Sequence, residues 1–221
     1  MDGPSGSGKS STSRGVAQRL GLRYLDTGAQ FRAMTAWMLR HDVDVHDPEA
    51  VSAHAEKPVI VSGTDPLAPT ITVDGEDVAV EIRSEQVTAA VSPVATVPAV
   101  RARLLDLQRE IIAGALPSGG IVVEGRDIGS VVWPDAQVKL YLTADAAARA
   151  ARRTAEQGSG SVSTTEADLL RRDRIDSSRA TAPLVAADGA IHLDTTPYDL
   201  EQVIDLVVGI VEETVGSKAS R

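Results

Sequence analysis

The chain has 221 residues, 43% of them hydrophobic and 24% charged, a length and balance that fit one substantial domain. Its formal charge of −9 argues against a general binder of nucleic acid or anionic membrane, and its lack of cysteine excludes disulfides, thiol nucleophiles and thiolate metal sites. No apolar run is long enough for a membrane span and no export leader is visible, so a cytoplasmic location is the expectation.

In chain order, residues 1–8 are rich in Gly, Ser and Pro, and helical spacing begins at Lys9 and runs to about Leu20. A short strand at Tyr24-Leu25 ends in the turn Asp26-Thr27-Gly28, and a helix follows from about Ala29 to Arg40. Asp47-Pro48 starts another helix, which fades near Lys57. The β-type runs Val59–Val61, Thr70–Val73 and Asp77–Val80, with Asp74-Gly75 as a hairpin turn, then predict a small antiparallel insert over 57–83. Helical spacing returns from about Val97 to Ala113. Apolar strands at Ile121–Val123, Val138–Leu142 and Ala190–Leu193 alternate with helices over 144–156, 164–178 and 199–215. That alternation predicts an α/β fold with a parallel sheet flanked by helices. The stretch from Gln157 to Thr164 reads as a flexible joint between two Arg-bearing helices.

Gly3-Pro4-Ser5-Gly6-Ser7-Gly8-Lys9-Ser10 fits G-x-x-x-x-G-K-[ST] at every fixed position. Such a loop curls its N–H groups around a phosphate at the positive end of the next helix. Lys9 reaches the β- and γ-phosphates of ATP, Ser10 offers a hydroxyl to Mg²⁺, and Ser11 continues the cradle. Only Met1 and Asp2 precede the loop, where a buried strand is expected, so the sequence reads as one whose natural start lies further upstream.

Positive charge is concentrated. Arginine supplies 18 of the 22 basic residues, and seven arginines fall between Arg149 and Arg179. The guanidinium fork suits phosphate oxygens, so an acidic protein with clustered Arg points to one small, densely anionic ligand. Arg172, Asp176 and Arg179 are spaced to share one helix face, as are Arg149, Arg152 and Arg153 beside the flexible joint. An Arg-bearing lid, about 149–172, could close over a transferring phosphoryl group and exclude water. The bland alternative for each cluster is a solvated helix face.

Three further motifs follow in order: Asp26-Thr27-Gly28-Ala29-Gln30-Phe31-Arg32, then Glu124-Gly125-Arg126-Asp127-Ile128-Gly129-Ser130-Val131-Val132, then Arg172 to Leu184. With the phosphate loop, this set resembles the bacterial cytidylate kinases along essentially the whole chain. The resemblance implies a P-loop NTPase fold with core 1–56 and 84–221 and an NMP-binding insert at 57–83. It implies transfer of the γ-phosphoryl of ATP, with Mg²⁺, to CMP or dCMP, and the lack of an apolar stripe beyond what the core needs makes a monomer the separate expectation. Catalytic assistance then falls to Lys9, Arg126, Arg152 and Arg153. The acceptor phosphate falls to Arg32, Arg126 and Arg179, with Thr27 nearby, the cytosine edge to Ser92, Arg101 and Asp127, and the sugar to Arg172 and Asp176. Phe31 stands where many relatives have Tyr, so a phenolic contact is lost, and Glu124 would support Mg²⁺ through water beside Ser10. The rival readings are a kinase of the same fold for UMP, AMP or shikimate, and a non-catalytic nucleotide-binding module.

Overall fold

The computed structural model describes residues 1–157, 161–178 and 183–219. The elements in chain order are α1 (Lys9–Leu20), β1 (Arg23–Asp26), α2 (Thr27–Arg40), α3 (Pro48–His54), β2 (Ile60–Ser62), β3 (Ile71–Val73) and β4 (Glu76–Asp77). There follow α4 (Glu85–Thr96), α5 (Pro98–Ala115), β5 (Ile121–Glu124), β6 (Leu140–Thr143), α6 (Ala146–Gln157), α7 (Val162–Ser178), β7 (Ile191–Asp194) and α8 (Leu200–Ala219). The chain divides into two units, one of Met1–Leu22 with Val122–Arg221 and the other of Arg23–Ile121.

In the first unit β6 and β7 pair in parallel, Leu140 opposite Ile191 and Thr143 opposite Asp194. The two residues ahead of the phosphate loop take the place beside β6. Asp2 forms a parallel bridge with Tyr141, its N–H donating to the Leu140 carbonyl at 2.8 Å and its carbonyl accepting from Leu142 N–H at 2.8 Å. On the other side the Met1 amine donates to the Val123 carbonyl at 2.6 Å, and Gly125 N–H donates to the Met1 carbonyl at 3.0 Å. The ladder groups of that slot are therefore paired over this length. Val16 of α1 packs with Leu140, Leu142 and Val203, Ile204 and Val207 of α8 in one buried cluster. Gly15 lets α8 come close, since a Cβ there would stand 2.2 Å from Ile204 Cδ1. Parallel strands, a glycine loop opening into a helix and helices packed on the sheet make this the P-loop NTPase fold.

The second unit holds a three-stranded antiparallel sheet of order β2-β3-β4, with Ile60 opposite Val73 and Thr72 opposite Asp77. Its hairpin turns at Asp74 (φ 52°) and Gly75 (φ 86°), both left-handed, which matches the twist of the strands. Asp74 also ties the turn to α2, accepting from Trp37 Nε1 at 2.7 Å and from Val59 N–H at 2.8 Å. One apolar cluster joins Met34 and Met38 of α2, Ile71 and Val73 of β3, Val87 and Val94 of α4, and Val100 and Leu104 of α5.

Three elements depart from the sequence expectation. α2 begins at Thr27, because the Asp26 carboxylate caps Ala29 N–H at 2.9 Å and turns the expected loop into a helix start. Of the Asp77–Val80 run only Asp77 lies in a strand, the two-residue β4. α4 was not anticipated at all: Ser84 caps it through Val87 N–H, and Pro93 sits inside it. β-branched residues and an internal proline argue against a helix locally, and burial of Val87, Ala90, Val91 and Val94 overrides them. Residues 158–160 of the expected flexible joint lie outside the described residues, and α7 begins at Val162.

Candidate active site

The phosphate loop leaves its strand at Gly3, where φ is 143° and a Cβ would stand 2.1 Å from the Leu142 carbonyl oxygen. Only glycine fits there. The loop closes on Gly8 (φ 86°), which caps α1 without a side chain and so leaves the helix's first N–H groups facing the loop. Lys9 is 6% exposed, and its ammonium donates to the Pro4 carbonyl at 2.6 Å and to Ser7 Oγ at 3.4 Å. Burial, reinforced by the Arg126 guanidinium, pushes its pKa down to about 7, against the opposing pull of Glu124, Asp2 and Asp173.

Two helices bring arginines to this loop. Arg149 of α6 is 5% exposed and donates to the Ser5 carbonyl at 2.9 Å and to Asp173 of α7 at 2.5 Å. Asp173 in turn accepts from Ser5 N–H at 3.3 Å, so a carboxylate holds a loop amide that could face a phosphate oxygen. Leu169, one turn before Asp173, comes within 3.5 Å of the Cβ position of Gly6. Arg152 of α6 is held by residue 195 just past β7, Nη1 donating to Thr195 Oγ1 at 2.9 Å and Nη2 to its carbonyl at 2.7 Å. The same Nη1 lies 3.8 Å from the Cβ position of Gly8. These arginines face the loop, so a merely solvated helix face is not what α6 presents.

At the end of β5, Glu124 is 3% exposed and accepts from Ser10 Oγ at 2.9 Å. Arg126 follows, its Nε donating to the Asp176 carboxylate at 3.1 Å. The turn after Asp127 is anchored by Asp2, whose two carboxylate oxygens accept from Ile128 and Gly129 N–H at 2.8 Å each. Asp127 is itself 5% exposed. Beside Asp176 on α7, Arg172 has a buried Nε with no hydrogen-bond partner, and burial next to Arg126 lowers its pKa to about 10. A guanidinium in that condition favours an incoming anion.

In the second unit Arg32 donates from Nη1 to the Ile82 carbonyl at 3.0 Å and to Thr88 Oγ1 at 2.9 Å. The Arg101 guanidinium lies 5.4 Å from the Phe31 ring centroid and donates to the Ala95 carbonyl at 3.1 Å. Thr27, Ser92 and Arg101 are all buried, at 4%, 6% and 9% exposure. Gln30, adjacent to Phe31, is fully buried with its Oε1 unpaired.

The family model described as cytidylate kinase matches this chain over residues 1–213. The chain belongs to the cytidylate kinase family. Relatives named cytidylate kinase include one from Streptomyces avermitilis, 56% identical over 218 residues that cover 99% of this chain and 94% of the relative. Another, from Streptomyces coelicolor, is 58% identical over 99% of this chain and 94% of its own length. A third, from Rhodococcus opacus, is 50% identical over 98% and 95% respectively.

Within the cytidylate kinase family frame, the first unit gathers most residues expected from sequence. Gly3 to Ser11 form the loop and first turn, Lys9 lies within electrostatic reach of Arg126 and Glu124, and Arg172 within reach of Arg126, Arg153 and Asp176. Phe31 and Arg101 meet in the second unit. Arg179 lies outside the described residues. Three residues now stand out that carried no expected role: Asp173 on the loop amide, Thr195 under Arg152, and Asp2 behind the Arg126–Asp127 segment. Asp173 had a signal, since it lies inside the Arg172–Leu184 motif. Thr195 had none beyond being a hydroxyl at a strand end.

Proposed function

We propose that this chain transfers the γ-phosphoryl group of ATP to CMP or dCMP, giving ADP and CDP or dCDP, as a cytoplasmic monomer. The supporting observation is the buried Lys9 in a complete phosphate loop flanked by Arg126, Arg149 and Arg152, with Arg172 within electrostatic reach of Arg126. No described helix is long and apolar enough to cross a membrane.

The chemistry asks for positioning and charge stabilisation. An oxygen of the CMP phosphate attacks the γ-phosphorus in line, and the bond from that phosphorus to the β–γ bridging oxygen breaks, with its electrons leaving on ADP. Lys9 neutralises charge on the β- and γ-oxygens, and the N–H groups at the start of α1 hold the β-phosphate. The family resemblance gives Arg32, Arg126 and Arg179 to the acceptor phosphate, Ser92, Arg101 and Asp127 to the cytosine edge, and Arg172 and Asp176 to the sugar. Thr27 lies beside Arg32's helix turn, and Arg153 joins Arg152 as a lid arginine. A buried acceptor such as Asp127 accepts from the cytosine amino group and meets an oxygen in its place on uracil, a polar mismatch that discriminates by up to about 10⁴-fold.

Hard oxygen ligands and a single carboxylate suit Mg²⁺, which keeps several waters and the phosphates in its shell. Ser10 Oγ and Glu124, 2.9 Å apart, fit that description, the first as a direct ligand and the second through water. When bound, Mg²⁺ would offset the negative charge of the ATP phosphates.

The test is ADP release from Mg-ATP with CMP, dCMP, UMP and AMP in parallel. Release with CMP and dCMP alone supports the proposal. Release with UMP at a comparable rate would remove the cytosine assignment, and release with no acceptor at all would leave a nucleotide-binding module.

A further inference from the structure

Thr195 lies just past β7 and is 1% exposed, yet its hydroxyl touches three polar groups. It accepts from Arg152 Nη1 at 2.9 Å, and it lies 3.2 Å from the Ser7 carbonyl and 3.0 Å from the Thr143 carbonyl, to either of which it can donate. A hydroxyl has one hydrogen and two lone pairs, so receiving Arg152 while donating to a carbonyl satisfies it fully. The Thr143 carbonyl already accepts the Thr195 N–H at 2.8 Å, which leaves the Ser7 carbonyl as the acceptor more in need of the hydroxyl.

Two consequences follow from geometry. A planar peptide holds its C=O and N–H on opposite sides, so fixing the Ser7 carbonyl toward Thr195 aims Gly8 N–H away from it. The Arg152 fork is gripped by the hydroxyl and carbonyl of Thr195 and, at 3.4 Å, by the Tyr198 carbonyl, three of its five donors in all, and keeps Nε–H and one Nη1 hydrogen for another ligand. Arg152 is thus placed beside Gly8, at the positive end of a 12-residue helix, by neutral oxygens. Asp194, a carboxylate that Arg152 also influences, is fully exposed and takes the Thr196 N–H and hydroxyl. A cation held against a helix N-terminus in this way is unfavourable until an anion arrives between them.

We propose that Thr195 is a positioning residue that fixes both Arg152 and the Ser7–Gly8 peptide around the transferring phosphoryl group. The inference rests on the phosphoryl-transfer reading above and extends it to a residue outside every recognised motif.

A double-mutant cycle tests it, with Thr195→Val, Thr195→Ser, Arg152→Ala and the pair Arg152→Ala/Thr195→Val, each checked for thermal unfolding. Thr195→Val keeps the shape and removes the hydroxyl. It should lower kcat about tenfold or more while CMP KM changes less than about twofold, and Thr195→Ser should restore kcat. In the Arg152→Ala background the valine should cost clearly less than in the wild type, because only its hold on the Ser7–Gly8 peptide then remains. An unchanged kcat in Thr195→Val, or an equal loss in both backgrounds, would overturn the inference. Should Thr195→Val not fold, Thr195→Ala enters the same cycle. If the wild type turns over no CMP, the kinase reading fails, and calorimetric ADP affinity then decides this inference alone. Weaker ADP binding in Thr195→Val, with a larger loss where Arg152 is present, supports it, and equal binding refutes it.

Discussion

The two units of this chain solve different problems with different chemistry. The unit Arg23–Ile121 is organised around one apolar cluster, and its arginines 32 and 101 reach main-chain carbonyls of Ile82 and Ala95. The unit with the phosphate loop has a smaller apolar cluster and instead knits charges together: Arg149 with Asp173, Arg126 with Asp176, and Lys9 with the Pro4 carbonyl. In the first case burial sets the fold and delivers polar groups secondarily. In the second the polar groups hold one another in a resting arrangement that phosphate would have to replace.

The sharpest way to break this contrast is at Lys9. Replacing it by Met keeps its bulk in a nearly buried position and should lower kcat about 10³-fold, with the fold retained by circular dichroism. Next comes Arg126→Ala, which also removes one charged partner of the Asp176 carboxylate, only 10% exposed as a side chain. Each lost charge-assisted bond costs about 1.5–3 kcal/mol, so kcat/KM for CMP should fall about 10–100-fold or more in steady-state assays. A change in the other unit should read out differently. Arg101→Leu should raise CMP KM about tenfold and narrow the preference for CMP over UMP, with ATP KM nearly unchanged.

Asp173→Asn acts in the opposite sense. The carboxylate competes with phosphate for Ser5 N–H and for Arg149, so its neutral replacement should tighten ATP binding several-fold by calorimetry. Weaker binding would mean that Asp173 holds the loop in its productive shape. The smallest effect is a proton. Lys9 titrates at about 7 against an ordinary 10.5, and a bound polyphosphate would raise it again. Nucleotide binding at pH 8 should therefore take up a fraction of about one proton, and at pH 6, where Lys9 is already charged, almost none from this group. Calorimetry in buffers of different ionisation enthalpy measures the difference. By the same sign, the unfolded chain holds more protons here between about pH 7 and 10.5, so this group's contribution to stability improves as pH rises through that window.

Much of the first unit could be read from sequence, because its signals are local. The loop residues Gly3–Ser10 and the helical spacing that follows carry their own conformational demands, and α1 appears where expected at Lys9–Leu20. The parallel strands were likewise marked by short apolar runs. α4 could not be read, since Pro93 and Val87-Thr88 oppose a helix locally and only tertiary burial of its apolar face decides otherwise. The candidate site divides in the same way. Lys9, Ser10 and Arg126 announce themselves by motif, whereas Asp2 and Thr195 matter through partners more than 120 and 180 residues away, Ile128 and Ser7. Single carboxyl and hydroxyl groups at strand ends have no pattern from which such contacts can be foreseen.

Phosphorus NMR of Mg-ATP and CMP incubated with the protein bears most directly on what the charged unit does. The account predicts that the ATP γ-signal disappears as the two signals of CDP rise in equal amount, without inorganic phosphate. ATP consumed to inorganic phosphate with no CDP, or left intact beside unchanged CMP, would contradict it.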